Sequence, residues 1–311
     1  MAHDRKFRFA VHVLRATSGR DFTDRARQAE DLGYSALNVP DHFVDHPLAP
    51  VPAMAAAAAV TTRLKIGSLV LDNDFKHPVV LANEAATLDL LSDGRLELGL
   101  GAGWMTVDYE KSGIPLDPPA VRVDKLEESI AILKGLFAEG PFSYAGQHYT
   151  VTDLDGLPKP VQRPGPPLVI GGGGKRILSL AAREAEIVGI NAFLRGGTPM
   201  SGSSSLGGAA TDQKVQWVRD AAGARFDDLE LQTLVGLVHF GDATELAERL
   251  APALGEPPEA VLQTPVVLAG DAERMIDDLL AKRDRYSISY YVIPQDQAEA
   301  FAPVVARLNG T

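Results

Sequence analysis

Short apolar runs alternate with longer segments of helical spacing along most of this chain. Phe7 to Leu14 reads as a strand, and Asp21 to Leu32 follows with apolar residues at helical intervals, an acidic N-cap candidate in Asp21 and a stop at Gly33. Ser35 to Val39 is a second strand running into Pro40-Asp41-His42-Phe43. Val51 to Val60 is an alanine-rich helix, Leu64 to Leu71 a third strand, Pro78 to Leu91 a helix with proline in its first turn, and Arg95 to Leu100 a fourth strand. After Gly101-Ala102-Gly103-Trp104 the pattern predicts a loop to Pro119, then a helix over Val121 to Phe137. Pro141 to Pro166 is rich in Gly and Pro, with Phe142, Tyr144, His148 and Tyr149 suggesting a small hairpin. Leu168 to Ile170 is a fifth strand and Glu186 to Ile190 a sixth. The low-complexity stretch 196–210 reads as a lid. Leu229 to Phe240 is a seventh strand, Ala243 to Leu254 and Asp271 to Arg283 are helices, and Ile288 to Ile293 is an eighth strand closed by Gln295 to Leu308.

A strand and a helix repeating every 30 residues or so imply parallel strands with right-handed crossovers. Eight strands of this kind indicate an α/β fold of the (β/α)8 TIM barrel type, one domain over 1–311 with insertions at about 104–119, 141–166 and 196–210. A doubly wound sheet is the alternative. It is weakened because the glycine run follows the fifth strand and lacks the G-x-G-x-x-G spacing. Barrel sites collect at the C-terminal ends of the strands, so the candidate chemistry belongs there.

The strongest local signal is Gly171-Gly172-Gly173-Gly174, set between the fifth strand and a segment beginning Lys175-Arg176. A strand, then glycines, then a helix start is how backbone N–H groups come close to an anion, so the run reads as a phosphate grip with Lys175 and Arg176 as further charge; a plain strand-to-helix turn is the alternative. Gly99-Leu100-Gly101-Ala102-Gly103 alternates glycine at the end of the fourth strand, as if something flat approaches the backbone. Histidines stand near four strand ends. His42 is the preferred acid/base because Asp41 precedes it in a Pro-led turn, while His12 and His239 read as pocket lining.

Composition narrows the chemistry. With 41 acidic and 30 basic residues the formal charge is -11, which argues against nucleic acid or an anionic membrane as partner. No cysteine is present, which excludes thiol chemistry and Cys-ligated metals. A metal site is a poor fit, since Asp41 and His42 are adjacent, and no G-x-S-x-G supplies a serine nucleophile. Chemistry of this kind points to a borrowed cofactor and a small-molecule substrate. Met1 to Lys6 leads into no signal-peptide core, and Ala53 to Val60 is too short to span a bilayer, so a cytoplasmic protein is expected.

Several stretches, taken in order, resemble the luciferase-like monooxygenase superfamily, and most of all its branch that uses the deazaflavin coenzyme F420. They are Ala29 to Tyr34 with Pro40-Asp41-His42, Thr61 to Gly67, His77-Pro78 through Asp89, Leu91 to Arg95 through Trp104, Lys159 to Gln162, and Pro167 through Gly174. The resemblance implies a (β/α)8 barrel, usually dimeric, with the cofactor ring at the strand ends and its phosphate on Gly171 to Gly174. It implies a non-prolyl cis peptide between Leu69 and Val70, with Ser68, Leu69, Val70 and Gly101 about the ring, and Asp41 and His42 as the ring-proximal pair. It also implies hydride transfer at the deazaflavin C5; an FMN-dependent monooxygenase or reductase, or a non-catalytic flavin-binding relative, is the alternative. One position departs from the pattern. Where the sugar-phosphate dehydrogenases of that branch carry an acidic glutamate, this chain has Trp104, which speaks against sugar-phosphate oxidation and for a less polar pocket with Met105 and Tyr109 nearby.

Overall fold

The structure is a computed structural model and describes residues 5–45, 48–192, 194–195, 198–199, 205, 207–254 and 256–311. Residue contacts divide the chain into two compact units, one of Met1–Val13, Gln28–Ala36 and Ile170–Thr311, the other of Leu14–Arg27 and Leu37–Val169.

The elements run β1 (Arg8–His12), α1 (Gly19–Asp31), β2 (Ala36–Val39), α2 (Pro50–Val60), β3 (Lys65–Ser68), β4 (Leu71–Asp72), α3 (Pro78–Leu91), β5 (Leu96–Gly101), α4 (Thr106–Ser112) and α5 (Pro119–Phe137). Next come β6 (Pro141–Ala145), β7 (Thr150–Asp155), β8 (Leu168–Gly172), α6 (Lys175–Glu184), β9 (Ile187–Ile190), β10 (Leu194–Arg195), β11 (Thr198–Pro199) and α7 (Gly208–Ala222). The chain ends with β12 (Glu230–Leu234), β13 (Leu237–His239), α8 (Ala243–Leu254), α9 (Pro258–Val261), β14 (Val267–Ala269), α10 (Ala272–Tyr286), β15 (Ile288–Pro294) and α11 (Ala298–Leu308). The principal sheet has the order β3-β2-β1-β15-β12-β9-β8-β5-β4, and β3 also pairs with β5, so the order closes on itself. Since β3 and β4 are one interrupted strand, this is the eight-stave parallel barrel the repeat predicts, and the closure removes the doubly wound alternative.

In the second unit, β5 is buried at every position, as a strand covered on both faces must be. Helix α3 begins where its sequence says it should: Pro78 occupies the first turn and the His77 side chain accepts the Val79 N–H at 3.3 Å. The cap of α1 is Ser18 and not Asp21. Ser18 Oγ accepts the Asp21 N–H at 3.1 Å, and Asp21 reaches back to the Thr17 N–H at 2.8 Å, a reciprocal cap. The predicted hairpin is present as antiparallel β6 and β7, its turn held by Glu128 of α5, which accepts the N–H groups of Gln147, His148 and Tyr149. The predicted loop over 104–119 contains α4, ended by Gly113 at a φ of 77°.

The third strand breaks at Leu69-Val70, where the peptide bond is cis. In the first unit, the stretch expected as one seventh strand divides. Only Glu230–Leu234 joins the barrel, pairing with β9 and β15. Leu237–His239 instead pairs with β14 in a separate two-stranded parallel sheet, with Leu237, Val267 and Ala269 packed against Ala243 and Leu246 of α8. Of the expected lid at 196–210, residues 196–197, 200–204 and 206 lie outside the described residues.

Candidate active site

Asp41 and His42 follow β2 directly, in the second unit. The carboxylate that holds the imidazole is not the neighbouring Asp41 but Asp108, 66 residues away on α4, whose Oδ2 lies 2.7 Å from His42 Nδ1. Its other oxygen, Oδ1, accepts the backbone N–H groups of Phe43 and Val44, each at 3.0 Å. Asp108 is thus fully engaged and its side chain only 1% exposed, whereas the imidazole keeps 15% of its surface in reach of solvent. Asp108 fixes the Nδ1 side of the ring by one bond and the backbone that carries it by two. Trp104 stands edge-on to the imidazole at 5.4 Å between ring centres.

Asp41 turns to the interrupted strand and accepts the Asp72 N–H at 3.2 Å. Burial pushes the Asp41 carboxyl above the usual carboxylate range, against the opposing pull of the Asp72 N–H and of the Lys76 and His42 side chains. Asp72 is pushed up to about 7, by burial first and then by Asp74 and Asp41. Asp74 is raised too, burial again outweighing the nearby Lys125. The Tyr109 hydroxyl sits between these acids, 2.8 Å from Asp72 Oδ2 and 3.2 Å from Asp74 Oδ2, and is itself pushed far up by its own burial and by Asp72. Phe75 stacks with Phe43 at 4.4 Å and tilts against Tyr109 at 5.5 Å, so an aromatic pair ties the loop of His42 to α4.

The glycines of β5 are required by close approach. A side chain at Gly99 would fall onto the Ser68 carbonyl, and one at Gly101 would lie 2.6 Å from Val70 Cγ2. Ser68 Oγ closes the seam, bonding both the N–H and the carbonyl of Gly99 at 2.9 Å. Leu69 N–H still reaches Val39 of β2 at 3.0 Å, so the cis bond is bracketed by pairing on either side. Buried Arg122 of α5 donates from Nη1 to the carbonyl of Ala102 at 3.0 Å and to that of Gly103, fixing the turn that presents Trp104.

In the first unit, Gly171 and Gly172 end β8, and Gly174 precedes α6 without a side-chain cap, the kind of helix start at which an anion can be held. Lys175 and Arg176 open that helix and are exposed. Asn191 belongs to the same place: its N–H donates to Gly172 at 3.0 Å, and its amide nitrogen fills the space a Gly171 side chain would need. Lys214, buried in α7, donates to the carbonyls of Asn191 at 2.6 Å and Ser205 at 2.5 Å, and burial lowers its ammonium to about 8.

The structure therefore gathers Asp41, His42, Ser68, Leu69, Val70, Gly101 and Trp104 within one unit and Gly171 to Lys175 within the other. His12 ends β1 and is buried in the first unit. His239 ends β13, off the barrel, so the strand-end argument for it as pocket lining does not hold. Sequence reasoning missed Asp108, Asp72 and Arg122. A single acid in a short helix and an arginine in a long one carry no spacing that marks them. His46 stands four residues from His42, a spacing that suits one metal ion on a helix, but residues 41–45 are not helical and His46 lies outside the described residues. Among the described residues no group of three His, Asp or Glu side chains is placed to hold a metal ion, and no helix is long and apolar enough to cross a membrane.

Known proteins give the arrangement its context. An F420-dependent glucose-6-phosphate dehydrogenase from Amycolatopsis mediterranei is 31% identical over 174 residues, which take in 54% of this chain and 52% of that protein. The chain spans about half the length of the curated relatives it matches. Among solved structures, the coenzyme F420 dependent tetrahydromethanopterin reductase of Methanopyrus kandleri superposes with a TM-score of 0.77 at 18% identity, over 98% of this chain and 99% of that one. The EDTA monooxygenase of Chelativorans superposes at 0.74 and 16% identity over 99% and 95%. Both likenesses show a shared luciferase-like TIM barrel fold. The model of the luciferase-like monooxygenase family matches residues 6–198, and the chain belongs to that family.

Proposed function

We propose that this protein is an F420-dependent oxidoreductase acting on a small organic molecule, with His42 as the group that holds or moves the substrate's proton. The observation that carries the reading is the 2.7 Å bond from His42 Nδ1 to the buried Asp108, which orients an imidazole beside a carboxylate as an acid/base pair requires. Each unit by itself offers a feature suited to one part of such a cofactor, a ring in the second and a phosphate in the first. The interrupted strand at Ser68, Leu69 and Val70, packed closely on Gly99 and Gly101 of the strand beside it, is the backbone against which the flat group would rest. The uncapped start of α6 after Gly171 to Gly174, with exposed Lys175, suits a phosphate. When bound, a deazaflavin supplies a two-electron hydride carrier. The chain's own part is to hold the proton at His42 Nε2, to keep the imidazole in one orientation through Asp108, and to limit water with Trp104. Trp104 also leaves the place of a catalytic glutamate apolar, so the proposed substrate is not a sugar phosphate.

FMN is the second reading, favoured by the fold shared with a monooxygenase. Separate titrations of the purified protein with F420 and FMN decide between them: F420 should bind, and tight FMN binding with none for F420 would replace the first reading by the second. His42→Ala should lower turnover by about 10² to 10⁴, the usual contribution of a general acid or base; unchanged turnover would remove it from that role. We propose a homodimer as well, on the exposed apolar residues Val80, Leu90 and Leu91 of α3, to be checked by light scattering.

A further inference from the structure

Asp72, Tyr109 and Asp74 are used by neither the hydride nor the proton step above, yet they form a closed set. The Tyr109 hydroxyl lies within hydrogen-bond distance of both Asp72 Oδ2 and Asp74 Oδ2. A phenol carries one hydrogen and can donate it once; the second contact is a hydrogen bond only if the other carboxyl brings a proton of its own. With both acids ionised, one carboxylate would face the hydroxyl's lone pairs inside a buried pocket. The groups around them relieve this only in part, since burial outweighs the cations that act on Asp74. Asp41 faces Asp72 from the loop after β2, while Lys125 lies 3.8 Å from Asp74 and is itself held by Asp117 at 2.5 Å. Arg122 also faces Asp74 from α5, but its Nη1 is taken by backbone carbonyls. Lys76 and Asp108 act on Asp41 and not directly on the pair.

We infer that Asp72, Tyr109 and Asp74 share one proton at neutral pH, and that this proton locks α4 to β4 and so keeps Asp108 on His42. Tyr109 is the residue after Asp108, so a helix released by one is released by the other. The step is a simple dissociation: the carboxyl O–H breaks, its electron pair stays on oxygen, and the proton leaves to water. Asp72 titrates near 7 in the closed form and at the ordinary carboxylate value once opened. Below the ordinary value both forms hold the proton. Between the two values only the closed form does, so closure weakens as pH rises, and above 7 it levels off.

The readout is hydrogen exchange at the Phe43 and Val44 amides, which Asp108 holds. Corrected for the intrinsic rate, their protection should fall by up to about tenfold per pH unit between pH 5 and 7 and then stay level. Asp72→Asn should abolish the slope. Tyr109→Phe removes the hydroxyl that joins α4 to the two carboxyls and should abolish the slope as well. Infrared spectra of the wild-type protein provide a measurement that needs no variant: a protonated carboxyl band present at pH 6 should vanish by pH 8. Protection independent of pH in the wild type, a slope that survives in Asp72→Asn, or no titrating carboxyl band would overturn the inference. Its consequence for catalysis rests on His42 acting as proposed, but none of these measurements uses a cofactor. A protein with the break that binds neither F420 nor FMN would sink the proposed function alone, and one that binds F420 without the break would sink the shared proton alone.

Discussion

One carboxylate, Asp108, makes three bonds that set where His42 points and where its loop lies. Its removal should therefore act in two ways. Asp108→Asn keeps the volume but cannot accept from both amides and stabilise an imidazolium, so kcat should fall by about tenfold to a hundredfold, at or below the lower end of general acid–base contributions because His42 itself remains. Asp108→Ala takes away the acceptor of two part-buried N–H groups and of His42 Nδ1 and should also cost about 1–3 kcal/mol of stability. Turnover assays and urea midpoints of the two variants separate the effects. Gly103 is a second residue with a sharp expectation. It sits at a φ of 71°, and a side chain there would fall onto the Tyr109 hydroxyl and the Asp72 carboxylate. Gly103→Ala should lose at least the roughly 1–2 kcal/mol of left-handed backbone and break the Asp72–Tyr109 bond, read as a lower denaturant midpoint at unchanged slope.

At the scale of elements, two junctions hold the candidate chemistry. The strand of β3 and β4, interrupted at Leu69-Val70, presents Asp72 to Asp41 and leaves small residues of β5 facing it. The β8–α6 junction presents an uncapped helix start. If a phosphate sits there, Lys175→Ala should weaken F420 binding by only about twofold to fivefold, the worth of a screened charge at a helix end, because the backbone supplies the grip. A loss of a hundredfold or more in a calorimetric titration would mean the lysine itself is the anchor. Much at this scale is legible from sequence. Helix α3 follows from the Pro78 start and its apolar spacing, and the hairpin β6–β7 from Gly, Pro and aromatic residues. The division of the seventh strand is not legible, because Leu229 to Phe240 is broken by no turn signal stronger than the single Gly236 and only pairing partners separate β12 from β13.

For the molecule as a whole, buried ionisable groups should shape the pH dependence of stability. Asp72, raised to about 7, binds its proton in the native state where the unfolded chain has released it, so stability falls as pH rises from about 4 to 7. Lys214 works in the opposite sense. Its ammonium is lowered to about 8, so between 8 and about 10.4 the unfolded chain binds the proton that the native state has lost, and stability rises with pH. Stability should pass through a trough near pH 7 to 8. Asp72→Asn should flatten its acidic side and Lys214→Met its basic side, as followed by urea midpoints across pH 5 to 10.

Local pattern by itself determined the alternation of strands and helices, the barrel class and the glycine run, since burial of one face or both leaves a period that neighbouring residues record. It also marked His42, by its place after a strand. Only the tertiary structure decided that the imidazole's partner is Asp108 and not Asp41, that Asp72 and Asp74 share Tyr109, and that His239 stands off the barrel. These depend on residues far apart in the chain meeting in space, and a hydrogen bond across 66 residues leaves no period to read.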